Sequence, residues 1–305
     1  MTFDEISTFL FALEYESLSK AAEIMYISQG TASNRIKSLE KELNFELFIR
    51  NKGQKKLELT ELGRRFVPTA QQISALWQDA LQLKNSHIYE MVKIAGIDVI
   101  NVFTLSQFYN DFVNNNSDIF LKINTHHSSR IHDLIDKHLI DIGFVFNQKN
   151  YETISSTPLY EEEMVIIAQK NSRYNENTRL DELSISNEVY VRWGTDFELW
   201  HNRHFESNIP KKITVGTGSM QGAYITDENT WAFTPKSIAL SLIRNNPNMK
   251  YFRLEKNPPN CVCYLLINKH NKIAKKISID KLLFELQDHL INNEAITVLK
   301  EFAMH

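Results

Sequence analysis

A pair of short helical patterns, separated by a break at Ile27-Ser28, constrains the fold of this chain more than any other feature. The pair lies in the segment SKAAEIMYISQGTASNRIKSLEKEL. Ser19 and Ser28 are predicted to cap its two helices, because a serine hydroxyl can accept a hydrogen bond from a backbone N–H of the first helical turn. A T-x-x-E capping box at Thr2 and Glu5 predicts an earlier helix. Three short helices within about 40 residues predict a compact trihelical unit.

The exposed face of the last of these helices carries small polar and basic side chains. Two helices joined by a tight turn are typical of the helix-turn-helix motif, whose second helix lies in the major groove of DNA. Asn and Gln can bond adenine, and Arg guanine, through paired hydrogen bonds. A glycine at the helix start leaves room for a phosphate beside the backbone N–H groups. The predicted DNA-contacting residues of this helix are Ser28, Gln29, Gly30, Thr31, Ser33, Asn34, Arg35 and Lys37.

A basic hairpin is predicted directly after the trihelical unit. ELFIR and LELT have the character of two short strands, joined by NKGQKK. Residues 50 to 65 hold six Lys or Arg against two Glu, a local net charge of +4, in a chain whose formal net charge is -3. Phosphate contacts from such a wing would give salt-dependent affinity. Its predicted DNA contacts are Arg50, Lys52, Lys55 and Lys56. A trihelical protein-interaction domain is the alternative, and the basic hairpin argues against it.

A long amphipathic helix is predicted to begin after Thr60, with Pro68 near its first turns. One face of this helix is too apolar to remain in water, so we expect a second copy of the chain to cover it. The predicted dimerisation residues are Ile73, Leu76, Trp77, Ala80 and Leu83. A twofold dimer in turn predicts an operator made of an interrupted inverted repeat.

The N-terminal segment resembles the winged helix-turn-helix of LysR-type transcriptional regulators. Matching positions occur in order over about 45 residues, which is far more specific than a lone short motif. They are Ala21-Ala22, Ser28-Gln29, Ser33, Ile36, Leu39-Glu40, Leu47-Phe48, Arg50, Leu59-Thr60 and Gly63. Asn44 departs from the Gly that the family usually has after the recognition helix, and Gly30 from a common Pro. Asn tolerates the left-handed conformation of a helix C-cap, so we expect the fold to be kept.

The rest of the chain alternates strand-like and helix-like segments, which is typical of an α/β fold. RIHDLIDKHLIDIGFVF and PLYEEEMVIIAQKNS resemble the effector-binding part of the same family. The resemblance implies two α/β subdomains around a ligand cleft, as in periplasmic binding proteins, and tetramers built from two dimers. The expected fold class is therefore α/β, with an N-terminal all-α winged helix-turn-helix and a long linker helix before the effector domain.

These patterns also predict the domain boundaries. The expected domains are a winged helix-turn-helix at residues 1–65, a linker and dimerisation helix at 66–90 and an effector-binding domain at 91–305. Subdomain I is expected at about 91–163 and 269–305, and subdomain II at about 164–268.

The effector cleft is predicted beyond the carboxyl ends of the strands, where loops lead into helices. Hydroxyls and backbone N–H groups at helix starts suit an anion or a carboxylate, and Arg192 could pair with it through two hydrogen bonds. The predicted effector-binding residues are Asp98, Asn101, Thr104, Thr125, Ser128, Ser129, Arg192, Trp193, Thr195, Thr217 and Ser219. The alternative for each of them is an ordinary cap or loop residue.

Two side-chain clusters have competing interpretations. WGTDFELWHNRHF could form an aromatic cage or a metal site, but His201 and His204 make only an i, i+3 pair. A packed amphipathic helix is favoured, and no metal site is predicted. Cys261 and Cys263 could sense oxidants, yet both lie in an apolar strand, where a thiol behaves as a small hydrophobe.

A transcription regulator controlled by a small effector is the function these features favour, with RNA polymerase as a further partner. An enzyme on a periplasmic-binding-like fold is one alternative. The chain shows no G-x-S-x-G, H-E-x-x-H, P-loop or G-x-G-x-x-G pattern in its context, so we predict no catalysis and no cofactor. An architectural DNA-binding protein without an effector is the other alternative. Two cysteines, no signal peptide and no apolar run of about 18 residues predict a cytoplasmic protein that does not bind a membrane.

Overall fold

The computed structural model describes residues 1–49, 57–83, 90–206, 208–270 and 275–300, without the side chains of residues 79, 82 and 83. The chain forms two compact units that divide near Glu90. Among the described residues, no helix is both long enough and apolar enough to cross a membrane.

The first unit is a trihelical bundle followed by a small hairpin and a long helix. Its elements are α1 (Phe3–Glu14), α2 (Leu18–Ile24), α3 (Gln29–Leu43), β1 (Phe48–Ile49), β2 (Glu58–Leu59) and α4 (Glu61–Leu83). The predicted capping box is confirmed, since the Thr2 N–H donates to the Glu5 carboxylate at 2.7 Å. Thr60 caps α4 as predicted, and its hydroxyl accepts from the Gly63 N–H at 2.9 Å.

The residue that caps the start of α2 differs from the predicted one, whereas the residue that ends α3 is as predicted. Ser17 caps α2, where the sequence predicted Ser19, because the helix already begins at Leu18 and the Lys20 N–H reaches Ser17 Oγ at 3.3 Å. Asn44 ends α3 in the left-handed conformation, with φ of 60°, as expected for an asparagine in the place of glycine.

An aromatic core holds the first unit together. Phe9 is fully buried, and its ring centroid lies 5.5 Å from those of both Phe48 and Phe66. The core therefore joins α1 to β1 and to the start of α4. Gly63 allows α4 to lie directly against the backbone of Leu47, because a Cβ at residue 63 would lie 2.2 Å from the Leu47 carbonyl oxygen.

The second unit contains two separate sheets and a strand pair. Its strands are β3 (Glu90–Gly96), β4 (Ile119–Thr125), β5 (Ile142–Val145), β6 (Ile154–Glu162), β7 (Met164–Gln169), β8 (Val189–Tyr190), β9 (Ile213–Thr214), β10 (Trp231–Pro235), β11 (Met249–Phe252), β12 (Cys261–Asn268) and β13 (Ile296–Val298). Its helices are α5 (Ser106–Asn115), α6 (Ser128–Asp136), α7 (Thr195–His204), α8 (Lys236–Asn245) and α9 (Lys276–Ile291). A π-helical turn spans Ile100–Thr104, and 3₁₀ turns span Leu180–Glu182, Ile185–Asn187 and Gly218–Ala223.

The larger sheet has the order β13-β6-β12-β5-β3-β4, and the smaller one has the order β10-β7-β11. In the larger sheet, β3 pairs in parallel with β4 and β5, so the carboxyl ends of these three strands meet at one edge. The chain passes from the larger to the smaller sheet between β6 and β7, and returns between β11 and β12. The two subdomains are therefore joined by two connections.

One predicted boundary requires correction. The sequence placed residues 164–268 in subdomain II, but β12 pairs with β6 along its length, from Cys261 to Asn268, in the sheet of subdomain I. The reason is that strand pairing depends on tertiary contacts, and neither β12 nor β6, which is interrupted by Pro158 and ends in glutamates, carries a local signal of the pairing. β12 also pairs with β5, from Tyr264 to Leu266, in the same sheet.

The two cysteines of β12 are free and buried, and burial raises the pKa of both thiols above the usual value. The reactive thiolate is therefore disfavoured, which agrees with the apolar interpretation of the pair.

Candidate functional site

The polar face of α3 is open, and the opposite face is packed. Ala32, Ile36 and Leu39 are buried against the trihelical core. At the helix start, the Ser28 hydroxyl accepts from the Thr31 N–H at 3.0 Å and so caps the helix. Ser28, Gln29, Gly30, Thr31, Asn34 and Lys37 are exposed, and Ser33 is half-buried. The structure thus gathers these predicted DNA contacts on one accessible surface.

Gly30 has open space around it. A Cβ at this position would meet only Ser28 Oγ, at 3.7 Å. The packing of the chain therefore does not require glycine here, and a phosphate could approach the helix N-terminus closely.

Arg35 differs from the other predicted contacts. Its guanidinium forms an ion pair with the Asp4 carboxylate of α1, and the side chain is only 24% exposed. The sequence predicted a freely available base reader, but the partner lies 31 residues away and could not be inferred from the local pattern. Any base contact by Arg35 must compete with Asp4.

The base of the predicted hairpin is formed by β1 and β2, in which Phe48 pairs with Leu59 and Ile49 pairs with Glu58 in antiparallel register. The Glu40 carboxylate accepts from the Leu47 N–H at 2.8 Å and so ties the hairpin to α3. The four predicted wing contacts, Arg50, Lys52, Lys55 and Lys56, lie outside the described residues.

The predicted dimerisation face of α4 borders an apolar groove. Leu76 and Trp77 are 55% and 47% exposed, and the Trp77 ring stacks on Phe3 with centroids 5.2 Å apart. The groove has a volume of about 520 Å³ and is lined by Met1, Thr2, Phe3, Ile6, Ile73, Leu76, Trp77 and Ala80. Ile73 also packs against the core of the unit. The Leu83 side chain is outside the described set.

In the second unit, two polar contacts join the loops of the two subdomains. The Thr217 hydroxyl donates to Asp98 Oδ2 at 2.6 Å. The Thr195 N–H, at the start of α7, approaches Asn147 Oδ1 at 3.4 Å. Asp98 follows β3 and Asn147 follows β5, so both contacts lie at the edge where the carboxyl ends of these parallel strands meet.

Several other predicted effector residues surround this edge. Thr125, Ser129, Thr195 and Ser219 are exposed, and Ser128 is half-buried at the start of α6. The Thr125 hydroxyl also accepts a hydrogen bond from the Asn101 amide at 3.1 Å.

Asn101 and Thr104 have structural roles that do not fit the prediction. The Asn101 amide is buried and donates to the carbonyls of Gly96 and Asn124 and to the Thr125 hydroxyl, so it binds the ends of β3 and β4 together. Thr104 is also buried, and its hydroxyl lies 3.5 Å from the Glu162 carboxylate. Both side chains are buried and already hydrogen-bonded within the chain.

Arg192 and Trp193 also differ from the prediction. Arg192 is 71% exposed and pairs with Glu198 of α7 at 2.6 Å, so its charge is already compensated. Trp193 is buried, and its indole N–H donates to the Phe233 carbonyl at 2.9 Å. It forms part of the wall between the subdomains, where a Cβ on Gly218 would lie 2.3 Å from the Trp193 ring and 2.9 Å from Val99.

The histidine and tryptophan cluster around α7 is packed. His201 is buried, and its Nε2 lies 2.9 Å from a Glu188 carboxylate oxygen, while His204 remains exposed. Burial raises the pKa of Glu188. Within the described residues, no group of three or more His, Cys, Asp or Glu side chains could hold a metal ion. The packed-helix interpretation fits this arrangement.

Two functional candidates were missed by the sequence reasoning. Asn147 follows β5, and the rule that ligands bind beyond strand ends would have included it. Glu162 is fully buried at the passage between the subdomains, where it accepts from the Ser237 N–H of α8 at 3.2 Å. Burial raises the pKa of Glu162 to about 7. Only the three-dimensional structure could show that a glutamate in an acidic run is buried.

Comparison with known families agrees with both units. The family model described as bacterial regulatory helix-turn-helix protein, lysR family, matches residues 3–64. The LysR substrate binding domain matches residues 90–277, which is more than half of the chain. The chain belongs to the LysR family.

Curated LysR-type relatives are distant. The transcriptional regulator CitR of Bacillus subtilis is 27% identical over 184 residues, which cover 59% of this chain and 62% of CitR. CysL of the same organism is 24% identical over 194 residues, which cover 63% of this chain and 64% of CysL. The match thus spans about three fifths of the length of these relatives.

Solved structures of LysR-family proteins align over nearly the whole chain. CbnR aligns over 95% of this chain and 99% of its own, with a TM-score of 0.70 and 14% identity. A full-length OxyR variant from Pseudomonas aeruginosa aligns over 99% of both chains, with a TM-score of 0.67 and 16% identity. CbnR has also been solved with its target DNA, and that chain gives a TM-score of 0.69 at 16% identity over 95% of this chain and 98% of its own. At these identities the likeness shows the fold alone, and it confirms the predicted fold class.

Proposed function

We propose that this LysR-family protein is a cytoplasmic transcription regulator that binds a specific DNA site and responds to a small molecule. The single observation that supports DNA binding most strongly is the open polar face of α3, capped by Ser28 and backed by a buried apolar face. Residues such as Gln29 and Asn34 on this face have the hydrogen-bonding groups that read base edges.

The proposed effector binds between the subdomains, near Asp98, Thr217 and the start of α7. Two facing polar contacts there support the location, and a ligand could displace them and gain their hydrogen bonds. We propose a small polar molecule. An anionic group would bind at the exposed hydroxyls and backbone N–H groups of the α6 and α7 N-termini, because Arg192 is engaged by Glu198.

The proposed assembly is a dimer formed through α4, and two dimers would form a tetramer. The exposed apolar groove beside Trp77 supports the first step, since a partner helix would cover it. A twofold dimer would bind an interrupted inverted repeat, and RNA polymerase is a further proposed partner.

An architectural DNA-binding protein without an effector is the second candidate. The polar contacts between the subdomains favour the effector-controlled version. A panel of small carboxylates and neutral metabolites in a thermal-shift assay separates the two. Binding at the proposed site would disappear in Thr217→Val, which removes the hydroxyl with little change in volume.

The DNA-binding proposal is tested with the Gln29→Ala variant. Binding is measured on a DNA site selected by the full-length wild-type protein from a random duplex library, and on random DNA. Loss of a paired contact to a base should cost about 1–3 kcal/mol on the selected site alone. Gln107→Ala, at an exposed position of α5, is the matched control and should bind as wild type does. Equal losses of Gln29→Ala on both DNAs would contradict the assignment of Gln29 as a base reader.

A further inference from the structure

The turn between α2 and α3 is fixed by two backbone hydrogen bonds. The Tyr26 N–H donates to the Glu23 carbonyl at 3.0 Å, and the Ile27 N–H donates to the Ala22 carbonyl at 2.9 Å. This pair of bonds is the Schellman motif that ends many helices. The motif places Tyr26 at the left-handed position, with φ of 55°.

Tyrosine is an unfavourable residue for this position. The left-handed conformation costs most L-residues about 1–2 kcal/mol, so glycine usually occupies it. Four described residues other than glycine have positive φ, and they are Glu16, Tyr26, Asn44 and His138. Tyr26 has the largest side chain of the four, and the turn would form at least as well with glycine.

The Tyr26 side chain contributes very little to the packing of the protein. It is 97% exposed, more than any other large apolar or aromatic side chain among those described. Tyr26 therefore combines an unfavourable backbone conformation with a bulky ring that buries almost no surface. Such a combination is expected where function, and not stability, keeps the residue.

Tyr26 lies in the turn that leads directly into α3, the proposed DNA-facing helix. Ser28, two residues later, caps α3, and the N-terminus of α3 has open space at Gly30 for a phosphate. We propose that Tyr26 is an additional DNA-binding residue, whose hydroxyl donates a hydrogen bond to a backbone phosphate next to the start of the recognition helix. This inference rests on the proposed DNA-binding function.

The chemistry of the contact gives it a recognisable signature. A phosphate contact carries no sequence information, so it should strengthen binding to specific and random DNA by the same factor. A phenol is neutral and releases no additional counterions through its charge, so its removal should leave the salt dependence of binding unchanged. Lysine contacts differ, because their loss also makes the affinity for DNA less dependent on the salt concentration.

The test uses the full-length protein with Tyr26→Phe and Tyr26→Gly. Affinities are measured over a salt series, on the DNA site selected by wild type and on random DNA. Tyr26→Phe should bind both DNAs about three- to tenfold more weakly, as expected for one hydrogen bond to a charged group. Tyr26→Gly should lose at least as much affinity, while its unfolding midpoint stays the same or rises because the backbone strain is relieved. Tyr15→Phe is the matched control, since Tyr15 is also partly exposed but stacks on Phe11 at the end of α1.

The other outcomes are distinguishable. Wild-type affinity in both Tyr26 variants would overturn the inference and leave the proposed function intact. A loss on the selected site alone would show a base contact and overturn the phosphate assignment. A changed oligomeric state of Tyr26→Phe in sedimentation would assign the ring to assembly, which also overturns the inference. Failure of the wild-type protein to select any DNA site would overturn the proposed function itself.

Discussion

At the scale of single residues, Glu162 is the buried charge with the clearest consequence. It lies where β6 ends and the chain passes to the second subdomain, and it contacts groups of both subdomains, Thr104 and the Ser237 N–H. Burial raises the pKa of Glu162 from the ordinary 4.5 to about 7. Between these values the folded protein binds a proton that the unfolded chain releases. The stability that this carboxyl contributes is therefore present at low pH and is lost as the pH rises through 7.

Glu162→Gln should remove this pH dependence, because the amide is neutral at every pH and can keep both hydrogen bonds. Relative to wild type, the variant should gain on the order of 3 kcal/mol in the free energy of unfolding between pH 4.5 and pH 8. Urea unfolding across this range measures the difference. If the free energy of unfolding changes with pH in the same way in both proteins, Glu162 is not the titrating group.

Gly218 gives a second prediction at this scale. A methyl group at Gly218 would overlap the Trp193 ring and crowd Val99 across the subdomain boundary. Gly218→Ala should lower the free energy of unfolding by about 1–3 kcal/mol, as overpacking usually does. Gly216→Ala is the control, since no atom lies within 4 Å of its added Cβ. Equal stability of the two variants in chemical unfolding would mean that Trp193 and Val99 are not tightly packed around Gly218.

At the scale of elements, α4 carries the prediction about assembly. Leu76 is 55% exposed, so Leu76→Asp should leave the monomer folded. It should also place a charge in the proposed dimer interface and shift the protein from dimers and tetramers to monomers. Sedimentation velocity measures the shift, and Ile277→Asp is the control, because Ile277 is 82% exposed on α9. Unchanged sedimentation of Leu76→Asp would place the dimer contact elsewhere.

The sequence predicted most elements whose signals are local. The Thr2 and Ser28 caps, the left-handed Asn44 and strands such as β4 and β7 all follow from residues a few positions apart. The place of β12 in the larger sheet was predicted wrongly, because its pairing with β6 and β5 joins segments far apart in the sequence and has no local signal.

The site residues that the sequence misjudged have distant partners. Arg35 is held by Asp4, 31 residues away, and Thr104 faces Glu162, 58 residues away. A residue type at a strand end indicates capacity for hydrogen bonding, but only tertiary structure shows whether another side chain has already used that capacity. Asp98 and Thr217 show the converse, because two separately predicted residues are hydrogen-bonded to each other.

At the scale of the whole molecule, an effector can regulate DNA binding only if it binds two states of the protein with different affinity. The contacts of Asp98 with Thr217 and of Asn147 with Thr195 are candidates for bonds that differ between such states. Thr217→Val should therefore change the affinity for DNA even without an effector, although Thr217 lies in the second unit. Fluorescence anisotropy on the selected DNA site measures this coupling, and identical affinities would assign the contact to local packing.

DNA binding by this protein is tested best by measuring how the purified protein binds the DNA upstream of its own gene. Binding is compared with random DNA of equal length over a salt series, and the bound region is footprinted. A regulator should protect an interrupted inverted repeat and should bind it about 10³-fold or more tightly than random DNA. Weak binding that is equal on both DNAs and disappears with salt would show that the protein is not a sequence-specific regulator.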